Sequence, residues 1–158
     1  MSAGLLAAWK TSNEANLFLL KRLPPGGLEA RYGARTRTVA AQFAHVHDVR
    51  LRWLEQAAPE QAEGLEKMGG RDAAPTAKQL EQALKASGQA VARLLEASAA
   101  SGKVKAWKGP PETFLGYLAA HEAHHRGLAL AALRAAGHKL PQELVFGLWD
   151  WGQRGSRR

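Results

Sequence analysis

No cysteine occurs among the 158 residues, which excludes a disulfide framework, a thiolate metal ligand and a cysteine nucleophile. Any thiol chemistry therefore needs a thiol from outside the chain. Long apolar runs are missing too. No stretch approaches the length of about eighteen apolar residues that a membrane span needs. Lys10, Asn13, Glu14 and Asn16 interrupt the N-terminal segment where a signal sequence would place its apolar stretch. A cytoplasmic, unexported protein without a membrane segment is expected. Also absent is the alternation of β-branched and polar residues that marks a half-buried strand.

Charge of one sign is scarce. Acidic residues number 14 against 22 lysines and arginines, a formal net charge of +8. Such a balance suits nucleic acid when it is concentrated. Here the basic residues are spread along the chain, and only the terminal "RGSRR" is dense. Neither a basic stripe along one helix nor aromatic platforms among basic residues can be found, so nucleic acid is not the expected partner.

What is present is alanine and leucine at helical spacing. The chain reads as all-α, a four-helix bundle with a short C-terminal fifth helix, in one domain spanning residues 1 to 158. The first helix covers approximately residues 2 to 22, with Leu5, Leu6, Trp9, Leu17 and Leu20 as its apolar stripe, and stops before "PPGG". The second starts near Thr36 or Thr38 and runs to about Ala57, presenting Val39, Phe43, Val46, Val49 and Trp53 inward. A long connection with Gly64, Gly69, Gly70 and Pro75 follows. The third helix opens at Thr76 and Gln79, which have capping-box spacing, and continues past Leu80, Leu84, Val91 and Leu94 to Gly102. The fourth extends from the prolines at 110 and 111 to Ala136, ended by Gly137. The short fifth, roughly 141 to 152, brings Leu144, Leu148, Trp149 and Trp151, the tryptophans serving core or dimer packing.

The fourth helix carries "HEAHHRG", residues 121 to 127. Its apolar stripe runs Phe114, Leu118, His121, His125, Leu128 and Ala132, so two stripe positions are histidine. At i and i+4 their imidazoles lie one above the other and reach a common ion. His124 falls on another face, aligned with Tyr117, Ala120 and Gly127. A stable site with an open position usually takes three protein ligands. The second helix offers His45 and His47, which cannot share a direction, and periodicity does not choose between them. His138, after the helix-ending Gly137, is expected at the surface.

The same stretch matches H-E-x-x-H, in which the glutamate faces a metal-bound water. The metzincin extension fails, because Leu128 and Ala131 stand where a glycine and a third histidine are required. A gluzincin would need a carboxylate such as Glu143 from a neighbouring helix. A chain without strands also offers no edge on which a peptide substrate pairs.

Two segments together resemble a known family. "TVAAQFAHVHDVRLRWL" is similar to the helix-two pattern of the DinB-like, or YfiT-like, metal-binding four-helix bundles, with His45 at the histidine position. "HEAHHRGL" resembles their H-x-x-H-H-x-G-Q signature, and "LWDWGQR" their closing aromatic segment. The resemblance covers nearly the whole chain. It implies His45, His121 and His125 as ligands of a divalent metal ion, zinc or nickel foremost, and a homodimer. One departure is Leu128, where the family has glutamine. Activities in the family are diverse, including thiol-dependent transferases or isomerases and hydrolases. The implied function is a metal-dependent S-transferase or hydrolase acting on a small-molecule substrate, with a low-molecular-weight thiol as a coherent co-substrate. The alternatives are a non-enzymatic metal or small-ligand binding bundle and a basic, stress-associated protein that binds nucleic acid.

Three further residues bear on the site. Arg50 follows Val46 by one turn and either faces a ligand's carboxylate or phosphate, or pairs with an acid such as Asp48 or Glu55. Asp48 or Glu122 is placed to orient a ligand imidazole.

Overall fold

The structure is a computed structural model and describes residues 2–156. Among these, seven α-helices form and no strand. They are α1 (Ser2–Leu20), α2 (Val39–Ala57), α3 (Pro59–Ala62), α4 (Ala77–Ser101), α5 (Pro111–Ala135), α6 (Gln142–Gly147) and α7 (Trp151–Ser156), with a 3₁₀ turn at Gly27–Glu29. The long α1, α2, α4 and α5 pack on one another, and α7 lies against α1. No helix among the described residues is long and apolar enough to cross a membrane. Arg157 and Arg158 of the basic terminal cluster lie outside the described residues.

The helix boundaries follow from side chains that satisfy free backbone groups. Thr38 caps α2, its hydroxyl accepting from Ala41 N at 3.1 Å. Thr76 and Gln79 form a reciprocal capping box at the start of α4. Pro111 opens α5, where a missing N–H costs nothing. At its other end Gly137 adopts φ 85° and donates to Arg134 O, while His138 N reaches Leu133 O. This left-handed exit is nearly free for glycine and satisfies two orphan carbonyls.

Three segments differ from the sequence expectation. α1 ends at Leu20, two residues early, because Lys21 and Arg22 already sit in a turn leading to the prolines. The connection after α2 contains the one-turn α3, opened by Pro59. The expected fifth helix is two pieces, since Gly147 closes α6 and the Asp150 carbonyl accepts from Arg154 N at the start of α7. Leu144 and Leu148 are buried, but Trp149 is 79% exposed and Trp151 is also at the surface, so neither tryptophan packs in the core.

The interior has two apolar clusters separated by a polar layer. One contains Leu19, Phe43, Val46, Leu80, Leu84 and Leu133. The other contains Trp9, Leu54, Val91, Leu95, Phe114 and Leu118. Between them each long helix contributes a buried polar side chain: Asn16 from α1, Arg50 from α2, Ser87 from α4, and Glu122 with Arg126 from α5. Glycine at 88 lets α1 and α4 close at this level, because a Cβ there would sit 2.5 Å from the Asn13 amide. Its carbonyl accepts the Trp9 indole N–H at 2.8 Å.

Candidate metal centre

One turn and a half of α5 serves two sites on different faces. His121 and His125 point toward α2, where they meet His45, and one nitrogen from each ring lies within 4.8 Å of the others. The Nε2 atoms of His121 and His125 are 3.1 Å apart. Two nitrogens bound tetrahedrally to one zinc at the usual Zn–N length would be separated by about 3.3 Å. His125 is buried, while His45 and His121 are half-buried and leave the group open on one side.

The polar surroundings prepare these rings as neutral donors. Nδ1–H of His125 donates to Oε1 of the buried Gln42 at 2.6 Å, which leaves the lone pair on Nε2. Burial, and then the neighbouring His121 and His45, push the His125 pKa down to about 3. Burial, with Arg37, His121 and Arg52 adding repulsion, brings His45 down to about 4. His121 is also lowered, chiefly by burial. Nδ1 of His121 is shut off from solvent and has no hydrogen-bond partner. Without an ion the facing Nε2 atoms of His121 and His125 share one proton, and a cation between the rings would take its place. Three neutral imidazoles with no thiolate or carboxylate among them therefore fit a divalent ion with open positions.

The helix-two histidine left open by periodicity is settled in direction. His47 turns away, with Nδ1 3.1 Å from Ala83 O and Nε2 3.0 Å from Glu66 O. It joins α2 to α4 and to the long connection. Asp48 does the same, its Oδ1 accepting from Met68 N at 2.8 Å, so it does not orient an imidazole. His124 is exposed, as its helical face requires, and His138 is partly exposed.

Glu122, on the neighbouring face of α5, turns toward Arg50 and Asn16 and is only 1% exposed. Its carboxylate receives Arg50 in a two-point pair, Nε to Oε1 at 2.7 Å and Nη2 to Oε2 at 2.9 Å. Asn16 Nδ2 donates to Oε2 at 2.6 Å, and Arg126 donates to Asn16 Oδ1 at 2.7 Å. Nη1 of Arg50 donates to Leu84 O and Ser87 Oγ, and its guanidinium lies over the Trp9 ring. Glu122 is thus neither a base for a water at the histidines nor an acceptor for a ligand imidazole. Arg50, wholly buried, is closed to a ligand and pairs with neither Asp48 nor Glu55. The H-E-x-x-H reading fails on this geometry.

Two features of the surroundings escaped the sequence. Gln42 is one: the site amide comes from α2, while Leu128 lines a cavity together with Gln42. The other is an aromatic cluster of Trp53, Trp107, Phe114 and Tyr117, whose Tyr117 ring stacks on His121 with centroids 6.0 Å apart.

No curated protein and no solved structure matches the chain. The family model of the DinB family matches residues 1–151, nearly the full length, and on that match the chain belongs to the DinB family.

Proposed function

We propose that His45, His121 and His125 hold one divalent ion, zinc or nickel, inside a four-helix bundle, and that the protein is a metal-dependent S-transferase or hydrolase of the cytoplasm. The observation that carries this is the convergence of three imidazoles within 4.8 Å, one of them fixed in tautomer by Gln42. When bound, such an ion supplies Lewis acidity, enough to bring the pKa of an associated water or thiol toward neutrality.

The residues of the chain provide the rest. Gln42 keeps the His125 lone pair on the ion-facing nitrogen. The Tyr117 ring, stacked on His121, walls one flank, and the half-buried His45 and His121 leave another flank for a substrate. Lacking cysteine, the chain takes any thiol nucleophile from a low-molecular-weight co-substrate. We further propose a homodimer, supported by the exposed Phe146 and Trp149 beside an apolar groove of Leu130, Val145 and Leu148.

Elemental analysis of purified, untagged protein beside His45→Ala, His121→Ala and His125→Ala tests the metal reading. One divalent ion per chain, lost in each variant that keeps its helical circular dichroism, is the expected result. A chain that takes up neither zinc nor nickel overturns it. Metal without turnover of thiol conjugates or activated esters would instead favour the non-enzymatic binding bundle.

A further inference from the structure

A cavity of about 370 Å³ is lined in part by Gln42, the side chain that holds His125, and its size falls within the range of small-ligand sites. Gln42, which holds His125, and Leu128, three residues beyond His125 on α5, form its inner wall. The outer wall is basic: Arg35 and Arg37 from the loop before α2, and Arg71 from the long connection before α4, together with Tyr32.

None of these three arginines is neutralised. Among the described residues, the ion pairs involve Lys21, Arg50, Lys67 and Lys85, and no carboxylate pairs with Arg35, Arg37 or Arg71. Nε of Arg37 is shut off from solvent and has no hydrogen-bond partner. A buried donor left unmade costs stability, and Arg37, with the solvent-exposed Arg35 and Arg71 on the same cavity, puts three positive charges there with no carboxylate to balance them. An anion in the cavity would relieve both.

The loop that presents two of the arginines is built rather than loose. Arg31 and Thr38 pair in an antiparallel bridge, with Val39 N donating to Ala30 O at 3.0 Å. Within the loop, Thr36 Oγ1 donates to Gly33 O at 2.9 Å and accepts from Gly33 N at 3.1 Å. Arg35 and Arg37 flank this threonine, so their backbone is ordered before any ligand arrives, which lowers the entropic cost of binding.

We infer that this arginine-lined cavity is the subsite for an anionic group, a carboxylate or a phosphate, on the substrate that reacts at the histidine centre. Guanidinium forks suit both groups. The assignment of the anion to a substrate rests on the metal-site reading, whereas the anion site itself does not. An anion seated between Arg35, Arg37 and Arg71 leaves the rest of a small molecule to extend past Gln42 to the histidines.

The test is two-dimensional NMR of the full chain, metal-free and zinc-loaded, titrated with inorganic phosphate and separately with succinate. Wild type, Arg37→Gln, Arg71→Gln and His125→Ala are compared. Saturable shifts of the arginine Nε–H and Gln42 amide signals are expected, with affinity falling about 10-fold or more in Arg37→Gln. They should persist in metal-free protein and in His125→Ala. The tighter of the two probes identifies the anion class. Equal affinity in wild type and both folded arginine variants, or shifts confined to other surfaces, overturns the subsite. Failure of both zinc and nickel to bind while the arginine-dependent shifts remain would overturn the metal reading and leave the anion site standing.

Discussion

A carboxamide oxygen 2.6 Å from Nδ1 of His125 decides which nitrogen of that ring keeps its lone pair. Gln42→Leu preserves size and burial but removes this acceptor, freeing the imidazole to adopt either tautomer. Outer partners of this kind are worth about 10- to 100-fold in metal affinity. Competition with a chromophoric chelator should show that loss in a folded Gln42→Leu protein, and unchanged affinity would remove Gln42 from the site. His121 and His125 stood out in the sequence because two polar rings interrupt one apolar helical face, whereas His45 was separated from His47 only by the family resemblance. Gln42 did not stand out, since a glutamine three residues before a histidine carries no pattern of its own. Glu122 misled for a related reason: its motif fixes only its neighbours in the chain, whereas its partner Arg50 lies 72 residues away.

At the level of helices, the Arg50–Glu122 pair joins α2 to α5, and the donors around it reach α4 and α1. Both charges are buried, so removing one strands the other. Arg50→Met and Glu122→Met are each expected to cost about 3–5 kcal/mol in denaturant unfolding, while the double variant should cost less than the sum. Additive losses would show that the two side chains act independently. Capping residues made the long helices legible: Thr38, the Thr76 and Gln79 box, Pro111 and Gly137 all act within a few residues of the boundary they set. The polar layer was not legible, because it arises where four distant segments meet. The C-terminal break was misread because apolar spacing continues smoothly through Leu144, Leu148 and Trp151 while the backbone does not.

For the whole molecule, the depressed histidines couple folding to pH. In the unfolded chain these imidazoles titrate near about 6.5, while in the folded chain His45 is held down to about 4 and His125 to about 3, with His121 and His47 also lowered. As pH falls below the unfolded value the unfolded chain binds protons that the folded chain refuses, so stability present at neutral pH is lost on acidification. The melting temperature of chelator-treated protein should therefore fall between about pH 7.5 and 5, ahead of carboxylate titration, with a shallower slope in His125→Phe. A melting temperature that stays flat or rises on acidification would contradict this assignment.

The buried Arg50–Glu122 link and the histidine trio connect the same two helices, but only the first is complete with the chain's own atoms. The helices are thus docked by a permanent internal bolt before any ion is taken up, unlike a small domain whose folding waits for its metal. Under the proposed metal reading, loading becomes an exchange between a finished protein and its surroundings, in which the abundance of each ion in the compartment counts for more than the order of events on the folding pathway.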